Sequence, residues 1–170
     1  MTVEAPADRL TGLRLESLIP EICGASLTPL SNSLYWLSLP ACSNRFLIGT
    51  QQVAWLYFTT VSNQSSAFVS LQLDNTVGFQ QDGTEARNFA PQSGRLVIIG
   101  NDPLLEAFIA TNRQPSLNLY GKPGPSYVVE TATDVRGPWT TNQVTTLTDL
   151  WTPLTVPANQ PQQFYRAKRQ

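Results

Sequence analysis

Few residues in this chain are equipped for chemistry. Histidine is absent, which removes the commonest general base and the commonest metal ligand. A Ser-His-Asp or Cys-His centre therefore cannot be assembled. Acid chemistry would have to rest on carboxylates, among them Asp74, Asp82, Glu85, Asp102, Glu106, Glu130, Asp134 and Asp149. A glycosidase needs two carboxyl groups facing each other across a cleft; these eight read instead as turn and rim acids. Asp74, Asp82 and Glu85 border one loop and are able to offer oxygens to Ca²⁺. That loop lacks the D-x-[DN]-x-[DN]-G ligand spacing. The sequence thus predicts no catalytic centre, no metal and no cofactor.

Two cysteines, Cys23 and Cys42, each lie just outside an apolar segment. Either they pair across adjacent strands in an oxidising compartment, or they stay as two buried free thiols. Without histidine they do not make an ordinary structural zinc site. Flat aromatics are the other candidates: Trp36, Trp55, Tyr57, Trp139 and Trp151 have ring faces able to stack on sugars. Core packing competes with that role, because aromatics favour strands and bury large areas. Core packing is the expectation for Trp55, Tyr57 and, in the main, Trp36. Trp151, between Asp149 and Thr152, is expected to be exposed. The glycan-stacking candidates are accordingly Trp151, Trp139 and Trp36.

These residues must be positioned by strands. The chain has 170 residues, of which 41% are hydrophobic and 14% charged, against about 25% charged in an average globular protein. Its polar character comes mainly from Ser, Thr, Asn and Gln, which suit exposed strand faces and turns. Prolines and glycines are spread throughout, so turns are frequent. Residues 67–73 alternate Ala67, Val69, Leu71 and Leu73 against Ser70 and Gln72, the mark of a half-buried strand. Residues 53–60 are apolar on both faces and predict a central strand covered on both sides. Further strands are expected at 34–39, 45–48, 95–99, 116–120, 126–133, 140–148, 153–156 and 163–167. Residues 104–111 read either as a hairpin strand or as a short helix capped by Asp102 and Pro103; two helical turns are marginal, so strand is preferred. Residues 1–20 read as a strand or a short helix. Turn signals about every 8–12 residues, with no long helical pattern, predict an all-β sandwich or barrel.

Lys and Arg are scattered except for Arg166, Lys168 and Arg169, and the net charge is −1. A nucleic-acid partner is not expected, since its binding needs concentrated positive charge. No apolar run approaches the ~20 residues of a membrane span. Residues 1–18 do not read as a secretory signal, so the chain is expected to be either cytosolic or a fragment of a protein that carries its signal upstream.

The order Gly121, Gly124, Tyr127, Glu130, Thr133-Asp134, Trp139 and Phe164-Tyr165-Arg166 resembles the small β-domains that end many large extracellular proteins of environmental bacteria. Val135 stands where those domains usually have Leu. Ile48-Gly49-Thr50, the strand from Val53 to Thr59, and Gly94-Arg95-Leu96-Val97-Ile98 are similar to cohesin-like domains, a jelly-roll, immunoglobulin-like sandwich. Fewer residues are available here than a full cohesin domain uses. The resemblance implies a cohesin-like β-sandwich over residues 1–102, incomplete at its start, and a smaller antiparallel β unit over 103–170. It implies a non-catalytic structural or interaction module of a secreted or surface protein, located outside the cell or on its surface; a monomer is expected, with a polysaccharide or another surface protein as partner. A carbohydrate-binding module is the alternative, and an exposed row of aromatics on one sheet face would distinguish it. An enzyme would show a cleft holding two carboxyls of raised pKa.

Overall fold

The computed structural model describes residues 1–45, 47–80, 82–86, 92–111, 113–156 and 162–170. Among these the protein is all-β: thirteen strands in antiparallel sheets and no helix. Among the described residues no helix is long and apolar enough to cross a membrane. The chain forms two compact units, one of Met1–Ser62 with Phe68–Leu96, the other of Asn63–Ala67 with Val97–Gln170.

In the first unit, β1 (Thr2–Glu4), β3 (Ser26–Pro29), β4 (Leu34–Ser38), β6 (Ala67–Asp74) and β7 (Gly94–Ile98) make a sheet ordered β3-β4-β1-β6-β7. Strand β6 has the expected alternation: Val69 is buried while Phe68, Ser70, Gln72 and Asp74 face out. Val3, Leu37 and Val69 are buried in this sheet. A second sheet pairs β2 (Leu10–Ser17) with β5 (Ala54–Thr60). The ladder slips between Thr11 and Arg14, where Gly12 and Leu13 lie opposite the single residue Phe58. Gly12, at φ +62°, supplies the left-handed residue at this bulge. The bulge carries Leu10, Leu13 and Leu15 onto the inner face despite their uneven spacing. Leu10 is almost completely buried.

Cys23 and Cys42 are joined as a disulfide with Cα atoms 4.9 Å apart. Backbone bonds flank it, from the Cys23 N–H to the Pro40 carbonyl and from the Cys42 N–H to the Glu21 carbonyl. The link ties the segment before β3 to the segment after β4.

The second unit has two three-stranded sheets. One is ordered β12-β9-β8, from β8 (Leu104–Ile109), β9 (Pro115–Tyr120) and β12 (Trp151–Thr155); the other is β11-β10-β13, from β10 (Ser126–Ala132), β11 (Thr140–Thr146) and β13 (Phe164–Arg169). Residues 104–109 are thus a strand paired with β9. Cross-strand pairing outweighs the capping signal of Asp102 and Pro103. The core draws Leu117 and Leu119 from β9, Tyr127 and Val129 from β10, and Leu147, Leu154 and Val156. Burying each such side chain contributes about 1.5–3 kcal/mol. Gly121 lets the Tyr127 ring lie against the backbone, and the Tyr127 hydroxyl donates to the Lys122 carbonyl at 3.0 Å.

Two strand expectations are corrected. Residues 45, 47 and 48 are not in a strand, and residue 46 lies outside those described. Residues 53–60 are not covered on both sides: β5 belongs to a two-stranded sheet and turns its Trp55–Tyr57–Thr59 face to solvent. An apolar run shows that a strand forms. It does not show how many layers lie over it.

Candidate functional site

Strand alternation and the β2–β5 register decide what reaches solvent on the first unit. Leu56 and Phe58 turn inward, so Trp55, Tyr57 and Thr59 turn outward. Trp55 lies opposite Glu16, and Tyr57 opposite Arg14. These four side chains share one face. Trp55 and Tyr57 are 48% and 38% exposed, large for indole and phenol groups that core packing would bury.

Their polar neighbours are ordered by local contacts. The Arg14 guanidinium carbon lies 4.2 Å from the centre of the Tyr57 ring, a cation–π arrangement. Arg14 Nη1 lies 3.6 Å from Glu16 Oε2. The result is a charge-compensated donor and acceptor pair beside an open indole. An exposed ion pair of this kind adds little stability, about 0–1 kcal/mol; its importance is geometric.

The sequence candidates fall elsewhere. Trp36 is 44% exposed on β4, opposite Thr2 on β1 and Thr28 on β3. The expectation that Trp36, Trp55 and Tyr57 are core residues is therefore corrected: each occupies the outward phase of its strand. Trp151 is 51% exposed, as its flanking residues suggest. It opens edge strand β12 opposite Tyr120, with ring centres 6.4 Å apart. The Tyr120 hydroxyl donates to Glu106 Oε2 at 2.6 Å, which fixes the phenol beside that indole. Trp139 is half-buried, and the Arg166 guanidinium carbon sits 4.3 Å from its ring centre. One face of Trp139 is thereby occupied. Trp139 and Trp151 belong to different parts of the second unit, and Trp139 lies just before β11.

Glu130 and Asp82 have structural partners. Glu130 is buried on β10, receives Arg166 Nε at 2.7 Å, and holds Lys168 Nζ at 2.5 Å. Lys168 first and Arg166 second hold its carboxyl below the ordinary glutamate range. A carboxylate held ionised is the reverse of a general acid. Asp82 accepts from the Thr84 N–H at 2.9 Å and the Thr84 hydroxyl at 2.6 Å. These two bonds hold its carboxyl below the ordinary aspartate range, and its oxygens serve the turn. Among the described residues no three His, Cys, Asp or Glu side chains come together as a metal site.

Sequence reasoning missed the outward role of Trp55 and Tyr57 and did not single out Arg14 and Glu16. The available signal was the alternation of Leu13 and Leu15 with Arg14 and Glu16, which marks an outward polar face. Comparison with protein-family models, curated proteins and solved structures found no match to this chain.

Proposed function

We propose that this chain is a non-catalytic interaction module of a larger secreted or cell-surface protein. The observation that carries the reading is the Trp55–Tyr57 row on a face turned away from the core, with the Trp55 indole open and the Tyr57 ring capped by Arg14. Exposed aromatic groups gathered on one face mark contact surfaces more often than scattered ones do. Two further features support it. The Cys23–Cys42 disulfide suits an oxidising compartment. The buried acid Glu130 is held ionised between two cations rather than poised to give up a proton. The module type follows the resemblance of residues 121–166 to domains that end extracellular bacterial proteins, and of the first unit to cohesin-like domains.

The test combines thiol titration with turnover assays. Protein purified without reductant is expected to show no thiol reactive to Ellman's reagent, even when unfolded, and to release no reducing ends from polysaccharides. Two free thiols per chain would remove the extracellular reading. Catalytic release of product would remove the non-catalytic one. A second reading, carbohydrate binding, is favoured by the aromatic row itself.

A further inference from the structure

We infer that the outer face of the β2–β5 sheet is a stacking site for an uncharged polysaccharide, with Trp55 as the platform and Arg14 and Glu16 as the hydroxyl-binding pair. The inference rests on the interaction-module reading and names the occupant of that same face.

Three observations select this ligand chemistry. First, Trp55 and Tyr57 are two residues apart on one strand, so their Cα atoms are about 7 Å apart along it. That is the scale of one pyranose ring. The axial C–H face of a pyranose is apolar and flat enough to lie on an indole. Second, the rim of such a ring carries hydroxyls that each donate and accept. Glu16, directly opposite Trp55, is an acceptor; Arg14, opposite Tyr57, has only donors. They lie 3.6 Å apart, which suits a pair of neighbouring hydroxyls. Third, the two charges cancel. A face of zero net charge has no electrostatic preference for an acidic polymer, a nucleic acid or a strongly charged protein surface. The donor is also held in place before binding, because Arg14 packs on Tyr57 and reaches Glu16 at once. Side chains already ordered lose less entropy when a ligand arrives.

The experiment is native affinity electrophoresis of the full chain in gels containing hydroxyethylcellulose, xylan, galactomannan, a β-1,3-glucan or polygalacturonate. Retardation by at least one neutral polymer is expected. Trp55→Ala should weaken it about tenfold or more, the loss of one stacked ring. Glu16→Gln and Arg14→Ala should weaken it less. Trp55→Phe should restore part of it, and Trp151→Ala and Trp36→Ala should leave it unchanged. Thermal melts of each variant separate lost binding from lost folding.

Retardation by none of the neutral polymers would overturn the inference. So would retardation that survives Trp55→Ala, retardation by polygalacturonate alone, or self-association that Trp55→Ala abolishes. Reducing ends measured in the same mixtures keep the two proposals apart. A polymer that is bound and cut defeats the non-catalytic reading but leaves the site standing. Absence of binding defeats the site alone.

Discussion

Replacing Gly121 by alanine should damage the second unit more than any surface change of similar size. A Cβ there would lie 2.7 Å from both Cζ and Oη of Tyr127 and 3.0 Å from Leu147 Cδ1. Neither neighbour has room to yield, since Tyr127 and Leu147 are almost completely buried in one cluster. Moving the phenol would also break its hydrogen bond to the Lys122 carbonyl. Overpacking of this kind costs about 1–3 kcal/mol, and loss of the hydrogen bond adds about 1 kcal/mol. With a urea dependence near 2 kcal/mol per molar, the midpoint should fall by about 1–2 M. Urea unfolding followed by circular dichroism measures it, with Gly94→Ala as control because a Cβ at Gly94 meets nothing within 4 Å. An unchanged midpoint in Gly121→Ala would refute the packing argument.

Other consequences can be measured separately. Glu130→Gln should narrow the stability gap between neutral and acid pH. The folded pKa of Glu130 lies below its ordinary 4.5, so its contribution is complete above that value and is lost as pH falls through the lower folded value; melting temperatures from pH 7 to pH 2 follow it. Replacing Cys23 and Cys42 together by serine should cost about 3 kcal/mol, the loop-closure value for their spacing, and denaturant melts would register it. In a chain whose other tryptophans are phenylalanine, Arg166→Ala should raise acrylamide quenching of Trp139, because it uncovers the ring face that the guanidinium occupies.

Much of the strand pattern was legible because alternation is a local property. Residues 67–73 read as half-buried and are so in β6. Residues 126–133 correspond to β10, and 95–99 to β7. Failures arose where local pattern met non-local pairing. Leu10, Leu13 and Leu15 left residues 1–20 undecided between helix and strand. Their three-then-two spacing comes from a bulge that is defined only against β5. Residues 45–48 carry strand-like apolar residues, yet the described ones lie outside any strand. The candidate site was hidden for the same reason. Trp55 and Tyr57 sit in a run apolar on both faces, and nothing within that run reveals that its sheet has only two strands. Arg14 and Glu16 become part of the site through a register linking residues some forty positions apart, beyond the reach of any local window.

Hydroxyl-radical footprinting read by mass spectrometry tests the central claim most directly, that β5 shows its Trp55–Tyr57 flank to water and hides its Leu56–Phe58 flank. Oxidation should be heavy at Trp55 and Tyr57 and weak at Leu10, Tyr127 and Leu119, with Leu56 and Phe58 labelled less than their neighbours. Shielded Trp55 and Tyr57 beside heavily labelled Leu56 and Phe58 would reverse the strand's faces and contradict the account.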